Sequence, residues 1–386
     1  MTAAPPLQSR TRLLALAAVI AAAAAVATGL SLGLPLLAMV MQARGHSASW
    51  IGLNTAVGGL AALAATPLVT PLARRIGPSR LLIASLGAAV ATFAAFPLVE
   101  STAGWFALRV VFHAGLTGTF VMSEFWIVSL APPDRRGLSI GLYGTAFSLG
   151  LSIGPTVLGL VGSTGPAPFA IGTALLGIAL VPLIAARHVE PVLEHASALS
   201  VMDHVRAAPE AMAGAFVFGA VEAGGLSILP LWGLGVGLGE ARSALLLTAI
   251  GLGTVALQIP LGLLADRVDR IRLLAAASVV GAIGAAALPF VVGDFAVTMA
   301  LLFVWGGFGT GLYTVGLAVL GARRAGADLA GANAAFVLMY GLGMVVGPLA
   351  IGRGLDLAPY FGLPVAIAGF FVAHLAVLAV ARRRQT

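Results

Sequence analysis

Residues 104–130 read GWFALRVVFHAGLTGTFVMSEFWIVSL, a stretch apolar and long enough to cross a bilayer that nevertheless carries Arg109, His113 and Glu124. A helix spans the hydrocarbon core with about 20 predominantly apolar residues. Ionisable side chains within such a segment are costly and face a bundle interior or a water-filled cavity rather than lipid. A span holding three of them needs other helices around it, and the remaining sequence must supply them.

The composition supplies them. The chain has 386 residues, 60% hydrophobic and 9% charged, with mean hydropathy +1.05. A soluble domain is about 25% charged, and so few charges cannot build a water-exposed surface. Apolar runs of about 20 residues recur throughout, which marks an all-α polytopic membrane protein. The spans of a membrane β-barrel would be short and alternate in hydrophobicity, and none does so here. Glycine contributes 50 residues, well above the usual share of about 7%, and small residues let membrane helices approach closely. The net charge of +7 does not imply a nucleic-acid partner, because the basic residues are all arginine and sit in short loops, where they orient the protein. The absence of cysteine excludes disulfides and thiolate metal sites.

Arg10 and Arg12 before an Ala-rich run have the look of a secretory signal, but the apolar run continues from Leu13 to about Met41, too long for one. Taken as the first span, it is followed by others beginning near Trp50, Arg80, Gly104, Gly137, Ala167, Pro209, Arg242, Arg272, Phe295, Gly331 and Gly362. With both termini cytoplasmic, 17 of the 21 arginines fall on the inner side; Arg44 and Arg242 lie outside, and Arg109 and Arg353 belong to spans. Positive residues mark the cytoplasmic side, and one span more or fewer would scramble the asymmetry. Trp50, Trp105 and Trp232 fall near outer helix ends, where indole rings favour the interface, while Trp305 lies deeper, as cavity wall or packed core. Residues 187–208 form a cytoplasmic linker between six-helix bundles at 1–186 and 209–386. Its His188, Glu190, Glu194, His195, Asp203 and His204 show no metal-ligand spacing.

The two halves repeat. Gly150, Gly154-Pro155 and Gly159 read GxxxGPxxxG, as do Gly343, Gly347-Pro348 and Gly352, 193 residues later. Leu72-Ala73-Arg74-Arg75-Ile76-Gly77 returns as Leu264-Ala265-Asp266-Arg267-Val268-Asp269 at an offset of 192, and Arg135-Arg136 as Arg323-Arg324 at 188. Parallel repeats about an axis along the membrane normal give a transporter two rocking halves around a central site. The prolines each remove a backbone hydrogen bond, and the neighbouring glycines allow bending or close packing.

On these residues the chain resembles the major facilitator superfamily. The family's loop motif between spans 2 and 3, roughly GxLaDRxGRR, is matched in the second half by Gly262, Leu264, Ala265, Asp266, Arg267 and Arg270, with Asp269 in place of a glycine. In the first half Leu72, Ala73, Arg75 and Gly77 fit, but Thr70 and Arg74 replace the Gly and the Asp. The family's gate lock through that Asp therefore does not carry over to Arg74. The span-4 motif RxxxGxG survives as Arg109 and Gly115, with His113 in place of its first glycine. Gly154-Pro155 resembles the span-5 motif associated with antiporters, without its final glycine pair. Glu124-Phe125-Trp126-Ile127, Arg136-Gly137 with Tyr143, Leu312-Tyr313, and Gly331-Ala332-Asn333 running to Gly347-Pro348 are similar to the YcaD-like branch. The resemblance implies twelve helices in two pseudo-symmetric bundles, a monomer without cofactor or metal, and a central cavity lined by spans 1, 4, 7 and 10. The candidate gating residues are Arg74, Arg75, Gly77, Asp266, Arg267, Arg136, Gly154, Pro155, Gly347 and Pro348.

The embedded polar residues are the candidates for contact with a small-molecule substrate or protons. Arg109 and His113 share a helix face, and His113 and Glu124 are close to three turns apart, about 16 Å at about 1.5 Å per residue. Arg109 suits an anionic substrate group, a structural ion pair or snorkelling to the outer interface. Glu124 suits a gate ion pair with Arg74, Arg75 or Arg136, or a proton carrier. Glu222, mid-span 7 with no cation evident in its own helix, is the better proton-site candidate; Tyr313 and Trp305 are further candidates for substrate contact. His374 reads as a packed neutral histidine, Asn54, Gln258, Asn333 and Tyr340 as interhelical polar contacts, and Arg353 and Asp356 as a local pair. The expectation is a proton-coupled secondary transporter with export slightly favoured; the alternatives are an importer, or a non-transporting sensor or scaffold on the same fold. No HExxH, nucleotide loop, acidic metal cluster or Ser/His/Asp arrangement argues for an enzyme.

Overall fold

The computed structural model describes residues 9–130, 136–189, 201–323 and 326–383. The helices are α1 (Ser9–Ala43), α2 (Ala48–Ile76), α3 (Pro78–Ala95), α4 (Thr102–Leu130), α5 (Arg136–Val161), α6 (Ala167–Ile178), α7 (Leu180–Ala185), α8 (Val201–Ala207), α9 (Pro209–Gly235), α10 (Glu240–Arg267), α11 (Arg270–Val291), α12 (Phe295–Arg323), α13 (Gly326–Leu357) and α14 (Gly362–Arg383). No strand occurs among the described residues. Twelve spans are long and apolar enough to cross a membrane, and α6 and α7 together make the sixth, broken at Ala179. The expected starts hold to within a few residues. Arg10, Arg135, Arg136, Arg323, Arg324, Arg384, Glu190, Glu194 and His195 lie, wholly or in their side chains, outside the described residues.

Many hydroxyls inside the spans are absorbed locally. Thr28, Thr55, Thr92, Thr119, Thr173, Ser227, Ser243 and Thr310 each donate their hydroxyl to the carbonyl four residues back. In hydrocarbon this removes an unsatisfied hydroxyl without any partner helix.

The internal repeat is visible in backbone detail. After α1, the amides of Arg44, Gly45 and His46 donate to the carbonyls of Val40, Gln42 and Met41. After α9, those of Val236, Gly237 and Leu238 donate to Trp232, Leu234 and Gly233, the same pattern 192 residues later. Gly45 and Gly237 hold φ of 85° and 87°, a left-handed helix end that glycine adopts without penalty. At the loops after α2 and α10 the repeat diverges. Gly77 has φ 95° and starts α3, whereas Asp269 has φ −60° and caps α11 by accepting the Arg272 amide at 2.8 Å. An aspartate therefore replaces the family glycine at no conformational cost, because its backbone never enters the left-handed region.

The described residues of Met1–Gly33, Ala61–Gly154 and Thr164–Glu194 form one compact unit; those of Leu34–Leu60, Pro155–Ser163 and His195–Thr386 form a second. The boundary cuts α1, α2 and α5, in α5 between Gly154 and Pro155. In the first unit α5 crosses α1 at Gly150 and Gly154: a Cβ at Gly150 would overlap the Ala24 carbonyl, and one at Gly154 would overlap Ser31 and Leu32. Ser31 and Thr28 seal the crossing by donating to the Gly150 carbonyl at 3.0 and 3.3 Å. In the second unit α13 crosses α9 at the equivalent glycines. A Cβ at Gly343 would overlap the Phe216 carbonyl, one at Gly347 the Ala220 carbonyl, and one at Gly219 of α9 the Tyr340 carbonyl. The GxxxGP segments are therefore close-packing surfaces in both halves.

Gly343→Val and Gly347→Val should each destabilise the protein by about 1–3 kcal/mol, the ordinary cost of forced overpacking. Gly369→Ala should be neutral or slightly stabilising, since nothing lies within 4 Å of its added methyl. Thermal unfolding of the purified variants in detergent checks the contrast.

Candidate functional site

The candidate residues gather at two places, one in each unit. In the second unit, Phe218 and Glu222 lie one turn apart on α9 and share a face. The glycine crossing presses α13 so close to α9 that Tyr340 reaches that face. Its phenol donates to Glu222 Oε2 at 2.5 Å, a length typical of a charge-assisted O–H···O⁻ bond. The Tyr340 ring stacks on Phe218, with centroids 5.9 Å apart and an interplanar angle of 27°. Tyr313 of α12 closes the group, 5.5 Å from Phe218, 5.1 Å from Phe336 and 5.9 Å from Tyr340. Glu222, Phe218, Tyr313 and Tyr340 are all half-buried, and the carboxyl stands beside the aromatic rings. No arginine or histidine forms an ion pair with Glu222 among the described residues.

In the first unit, Arg109 and His113 are buried on one face of α4, with relative exposures of 0% and 2%. The His113 Nδ1 lies 3.2 Å from the Arg109 carbonyl, and its ring meets Phe112 edge-on at 5.4 Å. Phe112 belongs to an aromatic stack with Phe93 and Phe96 of the neighbouring segment. Gly115, the surviving glycine of the span-4 motif, permits α4 to touch α3; its Cβ would sit 2.6 Å from the Ser85 carbonyl. Further along α4, Ser123 and Tyr143 share a hydrogen bond of 2.9 Å that ties α4 to α5, and Glu124 is exposed beside it. No ion pair joins Glu124 to Arg74 or Arg75 among the described side chains, and the Arg136 side chain lies outside them.

Several residues stand apart from these groups. Trp305 is 6% exposed and wedged among α11, α12 and α14, its indole donating to the Gly281 carbonyl at 2.9 Å and its ring meeting Phe371 edge-on. Trp105 and Trp232 lie at the expected helix ends but turn inward, because Val99 and Tyr360 offer carbonyls to their indole N–H groups at 2.8 Å. Trp50 is exposed. His374 is fully buried; its Nε2 faces the Glu210 carbonyl at 3.0 Å, so that nitrogen carries the proton, and its Nδ1 faces Ser278 Oγ at 2.7 Å. Arg74, Arg75, Asp266 and Arg267 are exposed at the ends of α2 and α10, and Asp266 meets Arg270 at 3.8 Å as a surface pair, a contact worth little. Gly154, Pro155, Gly347 and Pro348 are buried in the crossings described above. Asp356 does not form the expected pair with Arg353; its carboxylate accepts two backbone amides at the start of α2.

The sequence reading singled out Glu222 and Tyr313 but took Tyr340 only as an interhelical contact and passed over Phe218 and Phe336. The available signal was the single-turn spacing of Phe218 and Glu222 opposite a tyrosine three residues before Gly343.

Twelve apolar helices and paired glycine crossings at matching positions in both halves define a polytopic membrane protein built from a tandem repeat. The family model of the Major Facilitator Superfamily matches residues 17–348 and 211–385, and the chain belongs to that family of secondary transporters. It is 23% identical over 330 residues to the uncharacterized MFS-type transporter YfkF of Bacillus subtilis, covering 83% of each chain. It is 24% identical over 311 residues to the uncharacterized MFS-type transporter YcaD of Shigella flexneri, covering 79% of this chain and 80% of that one. The fold is similar to the crystal structure of a bacterial homolog of the human lysosomal transporter Spinster, with TM-score 0.80 and 14% identity over 98% of each chain.

A double-mutant cycle isolates the bond at the centre of the site. Tyr340→Phe and Glu222→Ala should show a coupling of about 1.5–3 kcal/mol in unfolding free energy, the range for a hydrogen bond to a charged group. Additivity within about 0.5 kcal/mol would contradict the bond.

Proposed function

We propose that this protein is a proton-coupled transporter that moves a small amphipathic organic solute by alternating access, with Glu222 carrying the proton. The single observation behind this reading is the Glu222–Tyr340 bond. Among the described residues, this half-buried carboxyl has no cation paired with it and is held by a neutral donor, and that donor can release it. How the carboxyl holds a proton depends on the apolar wall around it and on the phenol that donates to it. A conformational change that lengthens the Tyr340 bond alters this balance, which is what proton coupling requires. The aromatic faces of Phe218, Tyr313 and Tyr340 suit a solute with an apolar body.

The remaining assignments follow from the sequence pattern. The arginine-rich helix ends are cytoplasmic by the positive-inside rule, which places both termini inside. The two functional halves are residues 1–186 and 209–386, joined by 187–208. The bacterial relatives support the inner membrane, and the protein works as a monomer without catalytic chemistry. Glu124, exposed and without an arginine partner among the described side chains, serves as a secondary polar contact near the cytoplasmic end. The span-5 resemblance favours export.

Purified protein in vesicles with an imposed pH gradient tests this reading when candidate solutes are screened for solute-dependent proton flux. Glu222→Gln should abolish proton-coupled accumulation while leaving solute counterflow at near its parental rate. Coupling retained in that variant would overturn the assignment of Glu222.

A further inference from the structure

The arginine-poor helix ends of the second unit carry two contacts of one kind. At the end of α13 the Asp356 carboxylate accepts the Ala48 amide at 2.9 Å and the Ser49 amide at 2.8 Å. These belong to the first turn of α2, whose amides have no partner within their own helix. At the start of α10 the Glu240 carboxylate accepts the amide of Ser163, just past the end of α5. The two contacts are equivalent under the repeat: Asp356 lies 193 residues from Ser163, and Glu240 lies 192 from Ala48. The start of the second helix of one half meets the end of the fifth helix of the other, in both directions. In each case the carboxylate comes from residues 209–386 and the amides from residues 1–186.

The packing beneath the two contacts differs. Along α2, a Cβ at Gly52 would overlap the Pro348 carbonyl and one at Gly59 would lie 3.1 Å from the Met344 carbonyl, while Gly352 of α13 abuts the Ala48 carbonyl. This is a close backbone zipper ending at Asp356. Beneath Glu240, Gly159 of α5 meets Leu245 at 3.8 Å, an ordinary contact. Asp356 and Glu240 themselves lie at the water's edge, Asp356 exposed and Glu240 half-buried. Water can replace the amides when the contact opens, so the bonds are suited to repeated breaking.

We propose that Asp356 and Glu240 are paired latches holding the arginine-poor end closed, and that both release together when the solute path opens there. The proposal rests on alternating access but not on Glu222 or on protons. Each latch closes onto backbone amides, so either can be removed by truncating one side chain without stranding a buried charge.

The chain has no cysteine, so a single reporter can be placed without background. Ala56 is 2% exposed and lies on the α2 stripe between Gly52 and Gly59. In Ala56→Cys, a membrane-impermeant maleimide applied from the arginine-poor side should label slowly. Asp356→Ala should speed labelling about tenfold, as expected for loss of charge-assisted bonds, and addition of Glu240→Ala should speed it further. An unchanged rate in the folded, monodisperse double variant would overturn the proposal. Amide hydrogen exchange on the unsubstituted protein decides independently of how the variants fold. The amides of Ala48, Ser49 and Ser163 should share one protection factor to within about threefold, as in a single cooperative opening. Protection differing by more than tenfold between Ser163 and the other two would show that the latches do not act together. Neither readout needs a solute or a gradient, so failure here leaves the Glu222 reading standing, and failure of that reading leaves this one.

Discussion

Everything distinctive in this protein depends on a contact between glycine and a carbonyl oxygen on the next helix. At Gly343, Gly347 and Gly219 the backbones of α13 and α9 approach so closely that a methyl group would not fit. Lipid tails are as apolar as side chains, so membrane helices gain little from hydrophobic burial against one another, and close van der Waals contact takes its place. The closeness has a second consequence. It lowers the Tyr340 ring onto Phe218 and brings its phenol to Glu222. The packing motif and the candidate proton site are therefore one structure.

The two halves have taken the same crossing in different directions. Between α1 and α5 the space is filled by hydroxyls, with Ser31 and Thr28 bonding the Gly150 carbonyl. Between α9 and α13 the corresponding region carries a carboxyl and an aromatic wall. The first unit buries ionisable residues elsewhere, with Arg109 and His113 on one face of α4. Span 4 thus buries an arginine where span 7 sets a carboxyl among aromatic rings, on unlike frameworks, and the repeat supplies geometry without dictating chemistry.

Much of the fold was legible in the sequence because it is written in long-range patterns. Span length, arginine asymmetry and the spacing of GxxxGP each sum over many residues, and the helix starts follow from them closely. Single turns were not legible: Gly45 and Gly237 are two glycines among 50, and only their φ values reveal them as equivalent. The partner of Glu222 was hidden for a different reason, since it depends on how closely two helices cross. Asp356 was read as a local partner of Arg353 by helical spacing, but unpaired amides at the start of α2 offered two hydrogen bonds where the arginine offered a screened surface pair. Trp105 and Trp232 turn inward and not to the interface, because nearby loop carbonyls take their N–H groups, whereas Trp50 is exposed.

The central claim is that Glu222 changes protonation state during the transport cycle. Infrared difference spectroscopy on the reconstituted protein across a pH step observes this directly, through the carbonyl stretch of a protonated carboxyl. The account predicts a band that appears and disappears with the step, is altered in Tyr340→Phe and is missing in Glu222→Gln. A band that persists unchanged in Glu222→Gln would place the titrating carboxyl elsewhere and contradict the account.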